Sequence, residues 1–401
     1  MDMSSKQLNP DIIIIGAGII GLSIAYHLLE AAPKLSVTLL EKEKMLGGGS
    51  TGKGTGSIRY QLSSPQLRRL SLLSRDFFLK FESTFDAPIW YLEKGCLMLA
   101  ADEGSWNHLQ LTTEQVVADG IPMELLKQEE LLKNFPYLHS SRFLGGTLCP
   151  WDAYADPYAV LAALYAAVRR KGATVHFGRE ATKLILNGDT IKGVETGQGT
   201  IWSPLIVNAA GPYAAQLAAT VGITLPVQPF RRQVYVCTNP KDVPPATPLI
   251  VDLSTGFYLH QEASARTVLL GGTDKDTWPG FEEVVDKSVA EDFFLAATET
   301  IPSTIDIKWL RTYTGICEQT PDFHPIIGEA PGLKGFFLAN GLSGHGFMHA
   351  PAVGRIVADL ILNGKTEQID INLFHPDRFA KGYLTEPILL DNYSVKDAVR
   401  T

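Results

Sequence analysis

The chain has 401 residues, a formal net charge of −8 at pH 7, 45% hydrophobic residues and 19% charged residues. This composition is that of a compact globular protein, which excludes a disordered or fibrous chain, and the length predicts two domains. The acidic balance provides no basic surface for nucleic acid.

The first predicted element is a buried parallel strand of four isoleucines, residues 12–15, which a glycine-spaced turn joins to an apolar helix. In that turn Gly16 permits a tight bend, Gly18 lets the backbone approach a pyrophosphate, and Gly21 lets the helix lie close to the strand. Phosphates bound there would meet the unpaired amides and the positive dipole of the helix N-terminus.

A second predicted strand, residues 36–40, ends at Glu41, whose carboxylate can accept hydrogen bonds from a ribose. Strand, turn, helix, second strand and acid occur in the order typical of a site for an ADP-containing dinucleotide. The loop that follows, residues 47–57, is so rich in glycine that we expect its backbone to lie against a large flat group. The pattern leaves open which dinucleotide binds.

Helical and strand patterns alternate through the middle of the chain. Helices are predicted at 65–81, 105–120, 127–134 and 156–170, and strands at 95–100, 174–177 and 201–210. From 226 to 310 the pattern changes to alternating strands, at 233–237, 257–260 and 268–272, with a helix at 285–297. A strand at 335–340, a turn at 341–346 and an amphipathic helix to about residue 362 follow.

We therefore predict an α/β fold in which a Rossmann-like nucleotide domain is built from three separated segments and a mixed-sheet α+β domain is inserted twice. The predicted nucleotide domain comprises residues 1–85, 145–222 and 312–380. The predicted substrate domain comprises residues 86–144 and 223–311. Residues 381–401 are predicted to form a C-terminal tail.

Motifs spread over nearly the whole chain resemble those of the D-amino-acid oxidase (DAO) family of flavoproteins, which includes sarcosine oxidase, glycine oxidase and dye-linked proline dehydrogenase. They are the N-terminal glycine motif, Ile58-Arg59, Asp156-Pro157, Asn208 to Tyr213, Thr320 to Asp322 with Pro325 to Gly328, and Gly341 to Phe347 with Pro351 to Gly354. The resemblance implies that FAD is the cofactor. It also fits the three glycine-rich segments, because an isoalloxazine ring needs close backbone around it.

The resemblance implies positions for the cofactor contacts. A helix beginning near Gly344 could direct its N-terminal amides, with His345 beside them, at the flavin edge that becomes anionic on reduction. The predicted cofactor-binding residues are Gly16, Ala17, Gly18, Ile20, Gly21, Glu41, Lys42, Gly49, Ser50, Thr51, Thr55, Gly56, Ala181, Ala210, Gly211, Gly315, Gly344, His345, Gly346, Phe347 and Met348.

The resemblance also implies oxidation of a carbon–nitrogen bond in an amino acid or secondary amine, with hydride transfer to flavin N5 and hydrolysis of the resulting imine. Arg59 is then the candidate for binding a substrate carboxylate, the alternative being an interdomain salt bridge. Tyr258 and His260 share one face of a strand and could wall the substrate pocket, although ordinary sheet packing explains them equally well. His345 completes the candidate catalytic set, and Arg232 and Tyr313 are weaker candidates.

The chain departs from the sarcosine oxidase pattern at several positions. Gly315 stands where those enzymes attach FAD through a cysteine, so noncovalent FAD is expected. Leu269 and Met348 replace two of their lysines. Oxygen and a quinone or partner protein therefore both remain candidate electron acceptors. The spacing of His345 and His349 resembles a helical metal site, but no glutamate lies between them, and no metal is expected.

Three other functions remain open at this level. A related flavin enzyme could oxidise a 2-hydroxy acid or a polyol, a flavin-containing assembly factor could carry FAD without turnover, and a nicotinamide dehydrogenase could use the same glycine turn. The four cysteines, Cys96, Cys149, Cys237 and Cys317, lie far apart without CxxC spacing, which favours reduced thiols. The sequence shows no export signal and no transmembrane segment, so we expect a cytoplasmic protein whose contact with membranes, where it occurs, is peripheral.

Overall fold

The structure, a computed structural model, describes residues 9–245, 247–262, 266–272 and 278–382. Most of the predicted C-terminal tail, residues 383–401, lies outside the described residues. Within the described ranges, no helix is long and apolar enough to cross a membrane.

The strands, numbered in chain order, are β1 (Ile12–Ile15), β2 (Val37–Leu40), β3 (Ser57–Ile58), β4 (Leu92–Glu93), β5 (Cys96–Ala100), β6 (Glu124–Lys127), β7 (Gly145–Cys149), β8 (Ala153–Tyr154), β9 (Thr174–His176), β10 (Ala181–Asn187), β11 (Thr190–Thr196), β12 (Gly199–Trp202), β13 (Leu205–Asn208), β14 (Gln228–Thr238), β15 (Leu249–Asp252), β16 (Tyr258–Gln261), β17 (Thr267–Gly271), β18 (Trp309–Gln319), β19 (Ile326–Glu329) and β20 (Phe336–Asn340). The helices are α1 (Ile19–Ala31), α2 (Pro65–Leu79), α3 (Phe81–Phe85), α4 (Glu103–Ala118), α5 (Gln128–Asn134), α6 (Pro157–Arg170), α7 (Ala214–Ala219), α8 (Ala290–Thr300) and α9 (Gly346–Asn363).

A six-stranded sheet in the order β19-β20-β13-β1-β2-β9 forms the first unit. The isoleucine strand β1 lies at its centre and pairs in parallel with β2 and β13, and only β19 runs antiparallel to its neighbour. All four isoleucines are buried, because helices and loops cover both faces of a parallel sheet. The carboxyl ends of these strands therefore meet at one edge, where the fold predicts a ligand site.

Two helices from opposite ends of the chain pack closely beside this sheet. Gly354 of α9 lies so near α1 that an added Cβ would be 2.7 Å from the backbone of Ser23. Helices can approach this closely only where one of them has no side chain at the crossing. The C-terminal motif of the sequence thus serves the first unit, several hundred residues after the strand that begins it.

An eight-stranded mixed sheet in the order β18-β14-β17-β16-β15-β5-β7-β6 forms the second unit. Helix α8 covers one face, where Phe293 and Ala297 pack with Tyr235 and Leu259 of the sheet. Strands β7 and β18 hydrogen-bond in this sheet, although the predicted boundaries assign residues 145–149 and 312–319 to the nucleotide domain. The domain boundaries remain a proposal, and sheet membership favours moving both strands to the second unit.

The α/β class with a mixed-sheet second unit is confirmed, but two predicted elements are wrong in detail. The strand predicted at 201–210 is two strands in two sheets, β12 and β13, because Pro204 lacks an amide hydrogen and interrupts the ladder. The helix predicted at 285–297 begins only at Ala290, since residues 284–286 are bound to β14 by Arg231 and Gln233. The three-stranded sheet β10-β11-β12 was not predicted.

Candidate active site

The glycine turn between β1 and α1 has the geometry of a phosphate cradle. Gly16 has φ +104°, and a Cβ there would lie 2.3 Å from the carbonyl oxygen of Ala209. A Cβ on Gly21 would lie 2.0 Å from the carbonyl oxygen of Gly16. No side chain caps α1 at Gly18, and Thr51 accepts a hydrogen bond from the amide of Ile19. The turn thus presents helix N-terminal amides at the end of β1, where an anion would be stabilised.

Glu41 lies directly beside this turn at the end of β2. Its carboxylate accepts hydrogen bonds from the amides of Ala17 and Glu43, both at 2.9 Å. The side chain lines the same cavity as Gly16 and Gly18. The spacing of about twenty residues between turn and acid in the sequence therefore corresponds to direct contact in the fold.

A cavity of about 530 Å³ extends from this turn to the wall formed by the second sheet, within the size range of ligand sites. It brings together most of the predicted site residues. Those on its wall are Gly16, Gly18, Ile20, Glu41, Lys42, Gly49, Ser50, Thr51, Thr55, Arg59, Ala181, Ala210, Gly211, Tyr258, Gly315, Gly344, His345, Gly346 and Phe347.

Four predicted cofactor residues do not line the cavity but support its wall. Ala17 and Gly21 lie within the glycine turn. The amide of Ala17 donates to Glu41, and Gly21 packs on Gly16. Gly56 has φ +78°, and a Cβ there would be 1.9 Å from the carbonyl oxygen of Ala155. Met348 is buried, and its sulfur accepts the amide of Arg59.

His260 is not brought to the cavity, contrary to its predicted place beside Tyr258. It lies two residues further along β16 and is 1% exposed. Its Nδ1 donates to the carbonyl oxygen of Gln261 at 2.5 Å, and its ring packs on Tyr154. Burial lowers the pKa of His260 to about 4, so it is neutral. The ring contact with Tyr154 shows that ordinary sheet packing accounts for this histidine.

Arg59 is a buried cation on the wall of the cavity. Its side chain is 6% exposed, and Nη1 is buried without a hydrogen-bond partner. Among the residues that the structure describes, no carboxylate forms an ion pair with it. The interdomain salt bridge considered from the sequence is therefore not present in this part of the chain.

Two histidines at the start of α9 lie near Arg59 and are uncharged. His345 lines the cavity, is 2% exposed and has no partner on either ring nitrogen. Burial, followed by the charge of Arg59, lowers its pKa well below the usual value. The same two causes lower the pKa of His349 to about 3, and His349 bonds Ser71 as a packing residue should. The described residues contain no cluster suited to a metal ion.

The second sheet supplies an apolar wall opposite the glycine turn. Val234, Leu249 and Val251 line the cavity together with Tyr258 and the predicted Arg232. Tyr313, the other weaker candidate, does not line it and packs beside Val234. An apolar wall with few polar groups excludes water and strengthens the charge interactions inside.

Glu318 is a cavity residue that the sequence reasoning missed. Its Oε1 accepts the amide of Leu342 at 3.2 Å, while Oε2 is buried without a partner. Burial raises the pKa of this carboxyl to about 7. A signal was available, because Glu318 is an acid inside a long strand between Ile316 and Gln319, where a charged side chain needs a reason.

A segment of the second unit, residues 279–286, contributes Glu283 to the cavity wall and is bonded to the first unit. Glu283 forms an ion pair with Lys53 of the glycine-rich loop and lines the cavity. Phe281 stacks on Tyr213 with ring centroids 4.8 Å apart. We name this segment the strap. It links the glycine-rich loop, through Lys53, to β14 of the second sheet, through Arg231 and Gln233.

The residues present fit a flavin dinucleotide. A Cβ added at Gly49 or Gly211 would meet no atom within 4 Å, and both glycines line the cavity, so side chains there would project into the space that a ligand needs. The buried, unpartnered groups of Arg59 and His345 face the same cavity. Open glycine backbone at one end and unpaired polar groups at the other match a cofactor with a substrate beside it.

Comparisons with known proteins agree on one family. A family model described as FAD dependent oxidoreductase (DAO) matches residues 11–360. Mitochondrial dimethylglycine dehydrogenase of Homo sapiens is 28% identical over 393 residues, which cover 93% of this chain and 45% of that protein. The chain thus spans about half the length of the first curated relatives that it matches.

Solved structures with the same fold include two enzymes. L-proline dehydrogenase from P. horikoshii superposes with a TM-score of 0.87 at 28% identity, covering 94% of this chain and 100% of that one. Glycine oxidase from Geobacillus kaustophilus gives a TM-score of 0.83 at 26% identity, with coverage of 92% and 99%. The matches cover nearly the full length of each chain, so they extend over both units of the fold.

Proposed function

The chain belongs to the DAO family of FAD dependent oxidoreductases, and on this premise we propose that it oxidises a carbon–nitrogen bond of an amino acid or secondary amine. Hydride would pass from the carbon beside the nitrogen to flavin N5, and water would hydrolyse the imine. The observation that carries the proposal is Arg59, a buried guanidinium on the cavity wall with an unpartnered nitrogen. The names of the similar proteins, dimethylglycine dehydrogenase, L-proline dehydrogenase and glycine oxidase, point to the same substrate class.

The first unit would hold the cofactor. Gly16, whose amide donates to the carbonyl oxygen of Leu40, would make the tight bend, Gly18 would present its backbone amide to the pyrophosphate, and Glu41 would accept hydrogen bonds from the ribose. The amides at the start of α9, with His345 beside them, would face the flavin edge that becomes negative on reduction. Bound FAD supplies the hydride acceptor, which no side chain of the protein can provide. Gly315 has no side chain for a covalent bond, so the FAD is proposed to be noncovalent.

The second unit and Arg59 would hold the substrate. Arg59 would bind the substrate carboxylate through two parallel N–H donors. Tyr258 and the apolar wall would exclude water from the reacting carbon, which makes positioning the main contribution of the protein. His345 is neutral because its pKa is lowered well below the usual value, so it can accept a hydrogen bond without repelling the arginine.

The electron acceptor and the cellular location are also proposed, the acceptor only as a set of candidates. Leu269 is buried in the second sheet with Val234 and Val236 and does not line the cavity. Oxygen, a quinone and a partner protein are the candidate acceptors, and a cytoplasmic location is proposed. Anaerobic reduction followed by mixing with oxygen or with a soluble quinone separates the acceptors, since only the competent one restores the oxidised spectrum quickly.

The experiment for the main proposal is anaerobic bleaching of the purified yellow protein by a panel of candidate donors. Glycine, N-methyl amino acids and cyclic secondary amino acids are compared with 2-hydroxy acids and polyols of the same carbon skeleton. We expect bleaching by at least one amine and by none of its hydroxyl counterparts. Bleaching by hydroxy acids alone would transfer the activity to C–O oxidation, and tight FAD with no bleaching by any donor would favour an assembly factor.

Variants of Arg59 sharpen this experiment. Arg59→Ala should abolish bleaching by carboxylate-bearing amines while leaving the spectrum of bound FAD unchanged. Arg311→Ala is the matched control, because Arg311 lies on β18 but is 65% exposed and holds Glu262 only at 3.8 Å. Equal bleaching by the Arg59 variant and the wild type would remove Arg59 from the substrate site.

A further inference from the structure

Arg59 poses an electrostatic problem. A guanidinium that is 6% exposed has lost most of its hydration, and no carboxylate of the described residues is paired with it. Burying a charge in this way is strongly unfavourable unless another charge offsets it. A negative charge must therefore lie near Arg59 without occupying its donors.

Asp152 is placed to supply that charge. It is 1% exposed, and its two oxygens accept the amide of Tyr60 at 2.6 Å and Nε2 of Gln61 at 2.7 Å. The side chain therefore bonds to the two residues that follow Arg59 and not to the guanidinium itself. Burial raises the pKa of Asp152 to about 6, against the hydrogen bonds and the charge of Arg59, so Asp152 is ionised at neutral pH.

Gln61 transmits this constraint to the second sheet. Its Nε2 also donates to the carbonyl oxygen of Cys96 on β5 at 2.7 Å, and its Oε1 accepts from Thr147 of β7 at 2.9 Å. Both ends of the amide are used and buried, which leaves one orientation for the side chain. The segment after Arg59 is thus fixed to both Asp152 and the substrate-side sheet.

We propose that Asp152 is a positioning residue for Arg59. Asp152 fixes the backbone that follows the arginine, and it supplies the negative charge that lets the guanidinium stay buried with its donors free for a substrate anion. The inference rests on the proposed function in that Arg59 binds the substrate carboxylate. Loss of the Asp152 carboxylate should move the uncompensated Arg59 guanidinium out of its buried position, and anion binding to Arg59 should weaken.

Two carboxyls near Arg59 change charge in this pH range, Asp152 with a pKa of about 6 and Glu318 on the cavity wall with a pKa of about 7. They act in opposite directions, because protonation of Glu318 removes a negative charge from the cavity and should strengthen anion binding as the pH falls, whereas protonation of Asp152 should weaken it. Tyr60 has its pKa raised to about 12 by burial, and burial raises the pKa of the Cys149 thiol further from neutrality. His345 and His349 have lowered pKa values and stay neutral. Gln61 does not titrate.

The test measures equilibrium binding to the oxidised holoprotein and needs no turnover. Methanesulfonate, an anion at every pH used, is compared with neutral dimethyl sulfone, and each dissociation constant is taken from the perturbation of the flavin spectrum. Asp152→Asn should weaken methanesulfonate binding at least tenfold and change dimethyl sulfone binding less than twofold. The matched control is Asp252→Asn, since Asp252 is also buried and bonded to a backbone amide and an arginine, but lies away from the cavity.

Two further measurements keep the inference falsifiable. In the wild type, methanesulfonate binding should weaken as the pH falls through about 6. The Asp252→Asn variant should show the same midpoint. If Asp152→Asn does not retain FAD, this titration alone tests whether Asp152 positions Arg59. Adding Asp152→Asn to Arg59→Ala should cost nothing more than Arg59→Ala alone. Wild-type affinity in Asp152→Asn, a flat wild-type titration, or additive losses would each overturn the inference. Absence of amine oxidation with these results intact would sink only the proposed function.

Discussion

Replacing Glu318 by glutamine should change how stability depends on pH. The carboxyl lines the cavity with one oxygen buried and unpartnered, and burial raises its pKa from 4.5 to about 7. A group whose pKa is higher in the folded state contributes stability below its unfolded pKa and loses that contribution as the pH rises through the folded value. The wild type should therefore lose stability between pH 4.5 and pH 7 from this residue.

The magnitude follows from the size of the shift. A difference of this size between folded and unfolded states corresponds to about 3 kcal/mol at the order-of-magnitude level. Glu318→Gln keeps the shape and can accept the amide of Leu342 through its amide oxygen, but it cannot ionise. Relative to the variant, the wild type should thus become about 3 kcal/mol less stable as the pH rises from 4.5 to above 7.

Urea unfolding of the two FAD-saturated proteins at several pH values measures this difference, because other titrating groups cancel in the comparison. Parallel stability curves for wild type and variant would refute the reasoning, as would a wild type that gains stability relative to the variant as the pH rises. Glu283→Gln is a useful control, since Glu283 is partly exposed and its charge is compensated by Lys53, so its curve should show no such change near pH 7.

Three other outcomes are expected. Arg59→Ala should weaken binding of acetate by about 2 to 4 kcal/mol, the range for removing one partner of a buried charge pair, with acetamide as the neutral comparison; unchanged acetate affinity would contradict this. Gly21→Ala should yield folded but colourless protein, because the added methyl group would lie 2.0 Å from the carbonyl oxygen of Gly16. Circular dichroism measures the folding and the visible spectrum measures the bound FAD. A yellow variant would contradict the assignment of the glycine turn as the phosphate site. Glu41→Gln should weaken FAD by about 1.5 to 3 kcal/mol, the range for hydrogen bonds to a charged group, in a titration of apoprotein, and full affinity would argue against ribose binding by Glu41.

The nucleotide unit could be predicted because its signals are local. Four consecutive isoleucines, three glycines and an acid at the end of the next strand each act over a few residues, and the fold places them in contact. The return of the chain to this unit in its last third was likewise indicated by pattern, since a strand, a glycine turn and an amphipathic helix follow one another there as they do at the start. The packing of Gly354 against Ser23 could not be predicted, because nothing local connects two residues so far apart in the sequence.

The errors arise where tertiary contacts decide. Alternation along β16 correctly brings Tyr258 to the cavity but fails for His260, because a side chain from another strand, Tyr154, covers it. The apolar run at 201–210 predicts one strand, but Pro204 divides it between two sheets. Glu318 was missed because its burial depends on a turn more than twenty residues later in the chain, at Leu342.

The strap has a consequence for how the protein would exchange its coenzyme with the surroundings. A coenzyme that passed the strap would have to separate the Phe281–Tyr213 ring stack and the Lys53–Glu283 contact, so its departure and entry would share one gate. Weakening that gate should raise the association and dissociation rates of the coenzyme while its dissociation constant changes little. Holoprotein washed free of excess coenzyme should accordingly lose its colour more slowly than a variant in which the Lys53–Glu283 contact is removed.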